Sequence, residues 1–245
     1  MLLSFRKKPL RIVLATDRVL VSEARPVAVE ATGEWQPAVQ ALPAILHGRK
    51  GQAAVVLADQ FVRYSLLQPN AALKTEEQWL ALARHRFTAV HGSRSADWDV
   101  KLTETAPSGP RLACAVDKRL IATLADTFLN AGLHLMSVQP FLIAAFNRIK
   151  KQVGDGSCWI LVEEPGRLTM ALIRRGVWTA IRTRRIDPNW RNTLPELLER
   201  ETAFLGLEER CTRVLVCAQG AFPEDAYEDF RAQALSYPEL ALAWE

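Results

Sequence analysis

The chain breaks at Gly154-Asp155-Gly156, and after the break its opening pattern returns. Before it, Arg11–Thr16 (RIVLAT), Arg18–Ala24 (RVLVSEA) and Pro26–Thr32 (PVAVEAT) are short apolar or alternating runs joined tightly at Asp17-Arg18 and Arg25-Pro26. That is the pattern of an antiparallel meander. Val39, Leu42, Ile45 and Leu46 then recur at helical spacing over Pro37–Arg49, with Pro43 predicting a kink, and Gln52–Ala58 reads as a buried strand. After the break, Cys158–Glu163, Arg167–Arg174 and Val177–Ile186 repeat the three-strand run, with turns at Pro165-Gly166 and Arg175-Gly176. A helix over about Trp190–Leu205 and a strand at Arg213–Ala218 follow. What repeats is architecture rather than residues: two β-β-β-α-β units, which predict an α/β fold in two related halves.

Between the units the chain carries more. Phe61–Leu67 reads as a strand, and Thr75 as the cap of a helix with Glu76, Glu77 and Gln78 in its first turn. Asp97–Thr105 and Arg111–Val116 read as a hairpin across the turn-rich stretch 106–110. Asp117 caps a helix over Lys118–Ala131 that stops at Gly132. Leu133–Val138 is a short strand, and Pro140 opens a helix reaching about Lys151. The expected division is a first half over 1–140, containing an inserted α/β subdomain at about 70–135, and a second half over 141–245. The C-terminal region is expected to form a helix at Pro223–Leu235 and a last strand at Glu239–Trp244.

Composition narrows the class. The 245 residues, 49% hydrophobic and 24% charged, are enough for one large domain or two small ones. A net charge of +4 with acids and bases intermixed gives no reason to expect nucleic acid. MLLSFRKKP at the start places its bases after a very short apolar run, the reverse of a secretory signal. No window approaches the ~20 apolar residues of a membrane span, so a soluble chain is expected. Weak membrane contact through Arg6, Lys7 and Lys8 is the alternative. Cys114, Cys158, Cys211 and Cys217 lack CxxC spacing, which predicts reduced structural thiols in a cytoplasmic protein.

The run Val55–Asn70, the acidic-start helix Thr75–Phe87 and the stretch Cys114–Asn147, with Ala131-Gly132-Leu133 and Ser137-Val138-Gln139-Pro140 inside it, resemble PilM-like proteins. These are actin-like cytoplasmic components of type IV pilus assembly. The same residues resemble the cytoplasmic domain of GspL-like type II secretion proteins. The duplicated units are also the organisation of the actin, sugar-kinase and chaperone superfamily, with an RNase H-like core in each half. The resemblance implies mixed sheets with helices on their faces and a nucleotide cleft between the halves. It also implies a groove between subdomains that grips the cytoplasmic tail of a single-pass inner-membrane protein, with an assembly ATPase as a further partner and a homodimer as an option. A GspL-like chain continues into a transmembrane helix, whereas this one stops at Glu245 without one. A pilus-type homologue or a piece of a longer protein is therefore expected.

The resemblance also says where phosphate would sit. Two hairpin turns with an Asp and bare glycine amides would hold it, and a glycine turn would follow the strand beside adenosine. Here the first turn, Ala15-Thr16-Asp17-Arg18-Val19, has Asp17 but no glycine. The second has Glu163 and Glu164, then Pro165, Gly166 and Thr169. The third offers only Gly220. Asp17, Glu163, Gly166, Thr169 and Gly220 are thus the positions of a degraded nucleotide site. Asp17 reads either as a solvated turn residue or as a metal-orienting carboxylate.

No catalytic motif appears, and His47, His85, His91 and His134 share no ligand spacing; His85 and His91 are expected at the surface. Adjacent acids such as Glu163-Glu164 point to opposite faces of a strand, so they do not form a dyad. Arg182 and Arg184 read as one face of a strand, paired with acids such as Glu163, Glu164 and Asp187, or free for an acidic segment or RNA. The expectation is a binding scaffold with no bound cofactor and no enzymatic activity. The alternative is an actin-like protein with a residual ATP site.

Overall fold

A computed structural model describes residues 8–22, 24–103, 109–218, 222–223, 227 and 229–236. The basic pair Arg6-Lys7, Gly220 and the expected strand Glu239–Trp244 lie outside the described residues.

In chain order, the opening meander is β1 (Leu10–Leu14), β2 (Arg18–Val21) and a short β3 (Val27–Ala28). The expected single helix breaks at Ala41 into α1 (Gln36–Gln40) and α2 (Leu42–Leu46). Pro43 has no N–H to continue the first helix, but it fits the first turn of the second. The apolar run then gives β4 (Gly51–Leu57). A 3₁₀ turn at Asp59–Phe61 leads to β5 (Val62–Leu67), α3 (Glu76–His91), β6 (Trp98–Leu102), β7 (Arg111–Asp117) and α4 (Lys118–Asn130). The first half closes with β8 (Leu133–Pro140), and α5 (Phe141–Val153) links it to the second. There β9 (Cys158–Glu164), β10 (Arg167–Arg174) and β11 (Val177–Arg185) are followed by α6 (Leu194–Phe204), β12 (Arg213–Ala218) and β13 (Arg231–Ser236).

The sheet orders show the duplication. One five-stranded sheet runs β3-β2-β1-β4-β8 and the other β11-β10-β9-β12-β13. In both, the meander is antiparallel, its first strand pairs parallel with the strand after the helix, and a further parallel strand closes the edge. The third sheet, β5-β7-β6, is built from the stretch between β4 and α4, with α3 packed on it.

One expectation fails. The described end of the expected helix Pro223–Leu235 is a strand, because Arg231–Ser236 pairs along the whole of β12 as β13. Alanine, glutamine and leucine favour a helix locally, yet the open parallel edge of β12 offers this segment hydrogen bonds along one whole side.

The main core runs through the junction. Ile12, Leu14 and Val55 of the first half share one buried cluster with Leu142 of the linking α5 and with Ile160, Val162, Ile173 and Cys217 of the second. A second cluster, with Trp159, Met170, Leu172 and Leu198, lies on the far side of the second sheet. A third, with Trp79, Phe87 and Val100, belongs to the inserted sheet. All four cysteines are buried and free, and burial pushes their thiols above the usual range. His85 is exposed, but His91 is half-buried against Phe87 and Trp98.

Candidate functional site at the junction of the halves

The deepest polar group of the junction begins at the carboxyl end of β4. Pairing with β8 runs as far as Leu57 opposite Pro140, which brings the residue two positions on, Asp59, beside the start of α5. Pro140 precedes that helix without a side-chain cap of its own. Asp59 supplies one from 83 positions away, its Oδ1 accepting from the backbone N–H of Leu142 at 3.0 Å. The Tyr64 hydroxyl donates to the same oxygen. Glu164, the last residue of β9, reaches across from the second half. Its two oxygens accept from the backbone N–H groups of Asp59 and Gln60 at 2.9 and 3.1 Å. Asp59 and Glu164 are both nearly inaccessible to solvent.

Two carboxyl groups buried together resist double ionisation. Burial pushes Asp59 up to about 6, against the Tyr64 hydroxyl, the Leu142 amide and the charge of Arg167. Burial, and then the charge of Asp59, push Glu164 up to about 8, against the two amides and Arg167. Burial and the neighbouring Asp59 keep Tyr64 neutral, as its role of donor requires. Asp59 Oδ2 and Thr169 Oγ1 are buried together, and the Thr169 hydroxyl is one of the weaker influences that hold Asp59 down.

The residues singled out in the sequence have different partners. Asp17 lies at the β1–β2 turn in a fork with Arg18, its Oδ2 2.6 Å from the guanidinium. Glu163 points away from Glu164, as strand alternation requires, and accepts from Trp190 Nε1 at 3.0 Å and Arg191 Nη2 at 2.7 Å. Gly166 adopts φ +68° in the β9–β10 turn, and its carbonyl accepts from Ile186 N–H. Thr169 is wholly buried in β10 near Asp59. Arg182 and Arg184 of β11 do pair with an acid, Glu201 of α6.

At the second turn the open space is 160 Å³, with Glu163, Glu164 and Asp187 among its walls. That is below the ~300 Å³ at which small-molecule pockets begin, and the acids Glu163 and Asp187 in its walls oppose a phosphate. Larger depressions lie elsewhere, two of them around the inserted sheet. One, of 580 Å³, runs between the inserted sheet, α5 and β11; Leu102, Val138, Ile143, Phe146 and Trp178 form its apolar walls, and Lys101 and Lys150 also line it. The other, of 370 Å³, lies where the loop before α1, the inserted sheet and Arg167 meet.

Sequence reasoning missed Asp59 and the inward role of Glu164. One signal was present: an acid directly after an unbroken apolar strand, at the carboxyl end where open α/β sheets place ligand-facing residues.

No protein-family model matches the chain, and no curated protein sequence does. Its backbone is similar to three solved structures. A Bacteroides thetaiotaomicron protein with an actin-like ATPase fold is 14% identical, with a TM-score of 0.57 over 90% of this chain and 87% of that one. A PilM–PilN type IV pilus biogenesis complex gives 11% identity and 0.63 over 88% and 82%. The cytoplasmic domain of EpsL, an inner-membrane component of the Vibrio cholerae type II secretion system, gives 10% and 0.56 over 95% and 92%. The chain therefore has the actin-like α/β fold. Among the described residues, no helix is long and apolar enough to cross a membrane.

Proposed function

We propose that the chain is a cytoplasmic scaffold of a pilus- or secretion-type assembly platform, which binds the cytoplasmic tail of an inner-membrane partner and does not hydrolyse ATP. The observation that carries the reading is Glu164. Where an actin-fold ATPase would present bare amides to phosphate, this turn presents a buried carboxyl group bonded to the backbone of the other half. Asp17, in its fork with Arg18, leaves the first turn equally unsuited to phosphate. Likeness to the PilM–PilN complex and to the EpsL domain supports the platform. The 580 Å³ groove supports the tail: an amphipathic segment can lay apolar side chains against Ile143, Phe146 and Trp178 with its acids towards Lys101 and Lys150.

Two measurements test the reading. Magnesium ATP at millimolar concentration is expected to leave the melting temperature unchanged, because only a ligand that binds the native state stabilises it. A rise of several degrees would overturn the pseudo-ATPase assignment. Synthetic tails of the membrane proteins encoded beside this chain are expected to bind it, and Ile143→Asp, at a half-exposed groove position, is expected to abolish that binding. Tail binding unaffected by this variant would remove the groove from the proposal.

A further inference from the structure

The 370 Å³ cavity brings together two guanidinium groups from different parts of the fold: Arg63 of β5 and Arg167 of β10. Arg63 spends Nη1 on the carbonyls of Gln60 and Val62, at 2.8 and 2.9 Å. Its Nε and Nη2, and the whole guanidinium of Arg167, have neither a hydrogen bond nor an ion pair among the described residues. The two cations also repel, since burial and then Arg167 lower the pKa of Arg63. Trp35 and Trp98 line the same cavity, and the Gln60 side chain, tied to the Gly33 carbonyl at 2.8 Å, fixes one wall.

The surrounding charges restrict what can enter. Glu34 and Asp117 line the cavity, His91 lies near Arg63, and the buried pair Asp59–Glu164 lies within electrostatic reach of Arg167. Asp117 is already committed, accepting from the Arg119 amide at 2.8 Å and pairing with its guanidinium at 3.1 Å. The site is therefore rich in fork-shaped donors without being strongly cationic. A planar monoanion that takes two parallel N–H bonds fits it. A phosphate dianion would meet Glu34 and Asp117 as like charges.

We propose that this cavity is a recognition site for the carboxylate of an acidic side chain on a peptide, clamped between Arg63 and Arg167. It rests on the scaffold reading only in taking a protein as the source of the carboxylate. Held there, the carboxylate joins the inserted sheet to the second half, so binding registers how those two parts sit together.

The test uses the full chain with its tryptophan indole N–H signals resolved by NMR. Titration with acetyl-Gly-Glu-Gly amide is expected to move the Trp35 and Trp98 signals, while the Gln peptide leaves them in place. Arg63→Gln and Arg167→Gln are each expected to weaken the effect about tenfold. Inorganic phosphate is the third arm. Equal shifts with both peptides, no shift with either, or tighter binding of phosphate would each overturn the proposal. Arg63 is half-buried at the cavity wall and outside the carboxyl pair, so its variant decides the matter even if Arg167→Gln fails to fold. Trp178 lies in the other groove, so a tail that moves only its signal supports the scaffold reading without supporting this site.

Discussion

Asp59 and Glu164 share a space too dry for two full charges, and the consequence is readable in solution. Both carboxyl groups are raised in the folded chain, to about 6 and about 8, so the native state holds protons that the unfolded chain releases near pH 4. Where the native state binds more protons than the unfolded one, stability falls as pH rises. Urea unfolding is therefore expected to give a stability that declines from about pH 5 to pH 8, by up to about 1.4 kcal/mol per pH unit for each proton retained. Glu164→Gln removes one of the two titrations and is expected to flatten that slope. A slope that is unchanged in the variant would show that another group governs the window. Tyr64→Phe tests the pair from the other side. It takes a donor from Asp59 Oδ1 and is expected to cost about 1–3 kcal/mol.

At the scale of elements, local chemistry decides some boundaries and long-range pairing decides others. The capping box of α3 is local. The Thr75 hydroxyl accepts from Gln78 N–H while the Gln78 side chain accepts from the Thr75 amide, and the pattern is visible in four consecutive residues. Thr75→Ala is expected to cost about 1 kcal/mol, read as a lowered melting temperature of the full chain. The Pro165-Gly166 turn is equally local. Gly166 stands at φ +68° with open space where a Cβ would go, so Gly166→Ala should cost only the backbone strain of about 1–2 kcal/mol. That loss should be the same with and without magnesium ATP, as befits a glycine kept for the hairpin rather than for phosphate. Residues 231–236 illustrate the other case, since their strand state is set by β12, a partner that no local window contains. The carboxyl pair is also non-local. The hydrogen bond from Asp59 to Glu164 spans 105 positions, so spacing rules could expose Glu163-Glu164 as no dyad but could not find the partner that Glu164 does have. The strand runs of the two meanders, the caps at Thr75 and Asp117 and the duplicated plan were legible because each rests on a short-range pattern or its return. The junction was not, because it exists only where the two sheets meet.

For the whole molecule, the decisive feature is a core that does not respect the boundary between halves. Ile12 and Leu14 pack in the same cluster as Ile160, Val162 and Ile173. The ring of Phe146 on α5 lies 4.7 Å from that of Trp178 on β11, and Glu164 caps a backbone turn of the opposite half. An actin-like fold that opens and closes on nucleotide needs a cleft that separates at low cost. Here separation would expose buried apolar surface and strand the Glu164 carboxyl group together with two amides. The two halves are therefore expected to unfold as one cooperative unit. Fluorescence of Trp159 and Trp190, both buried in the second half, should follow the same urea transition as far-ultraviolet circular dichroism, with one midpoint. The inserted sheet has its own cluster around Trp79 and Phe87, which gives it the means to open separately. Its amides in β6 and β7 should then exchange with solvent at a lower free energy than those of β4 and β9. Separate transitions for the two halves would restore a mobile cleft, and with it the case for a working nucleotide site.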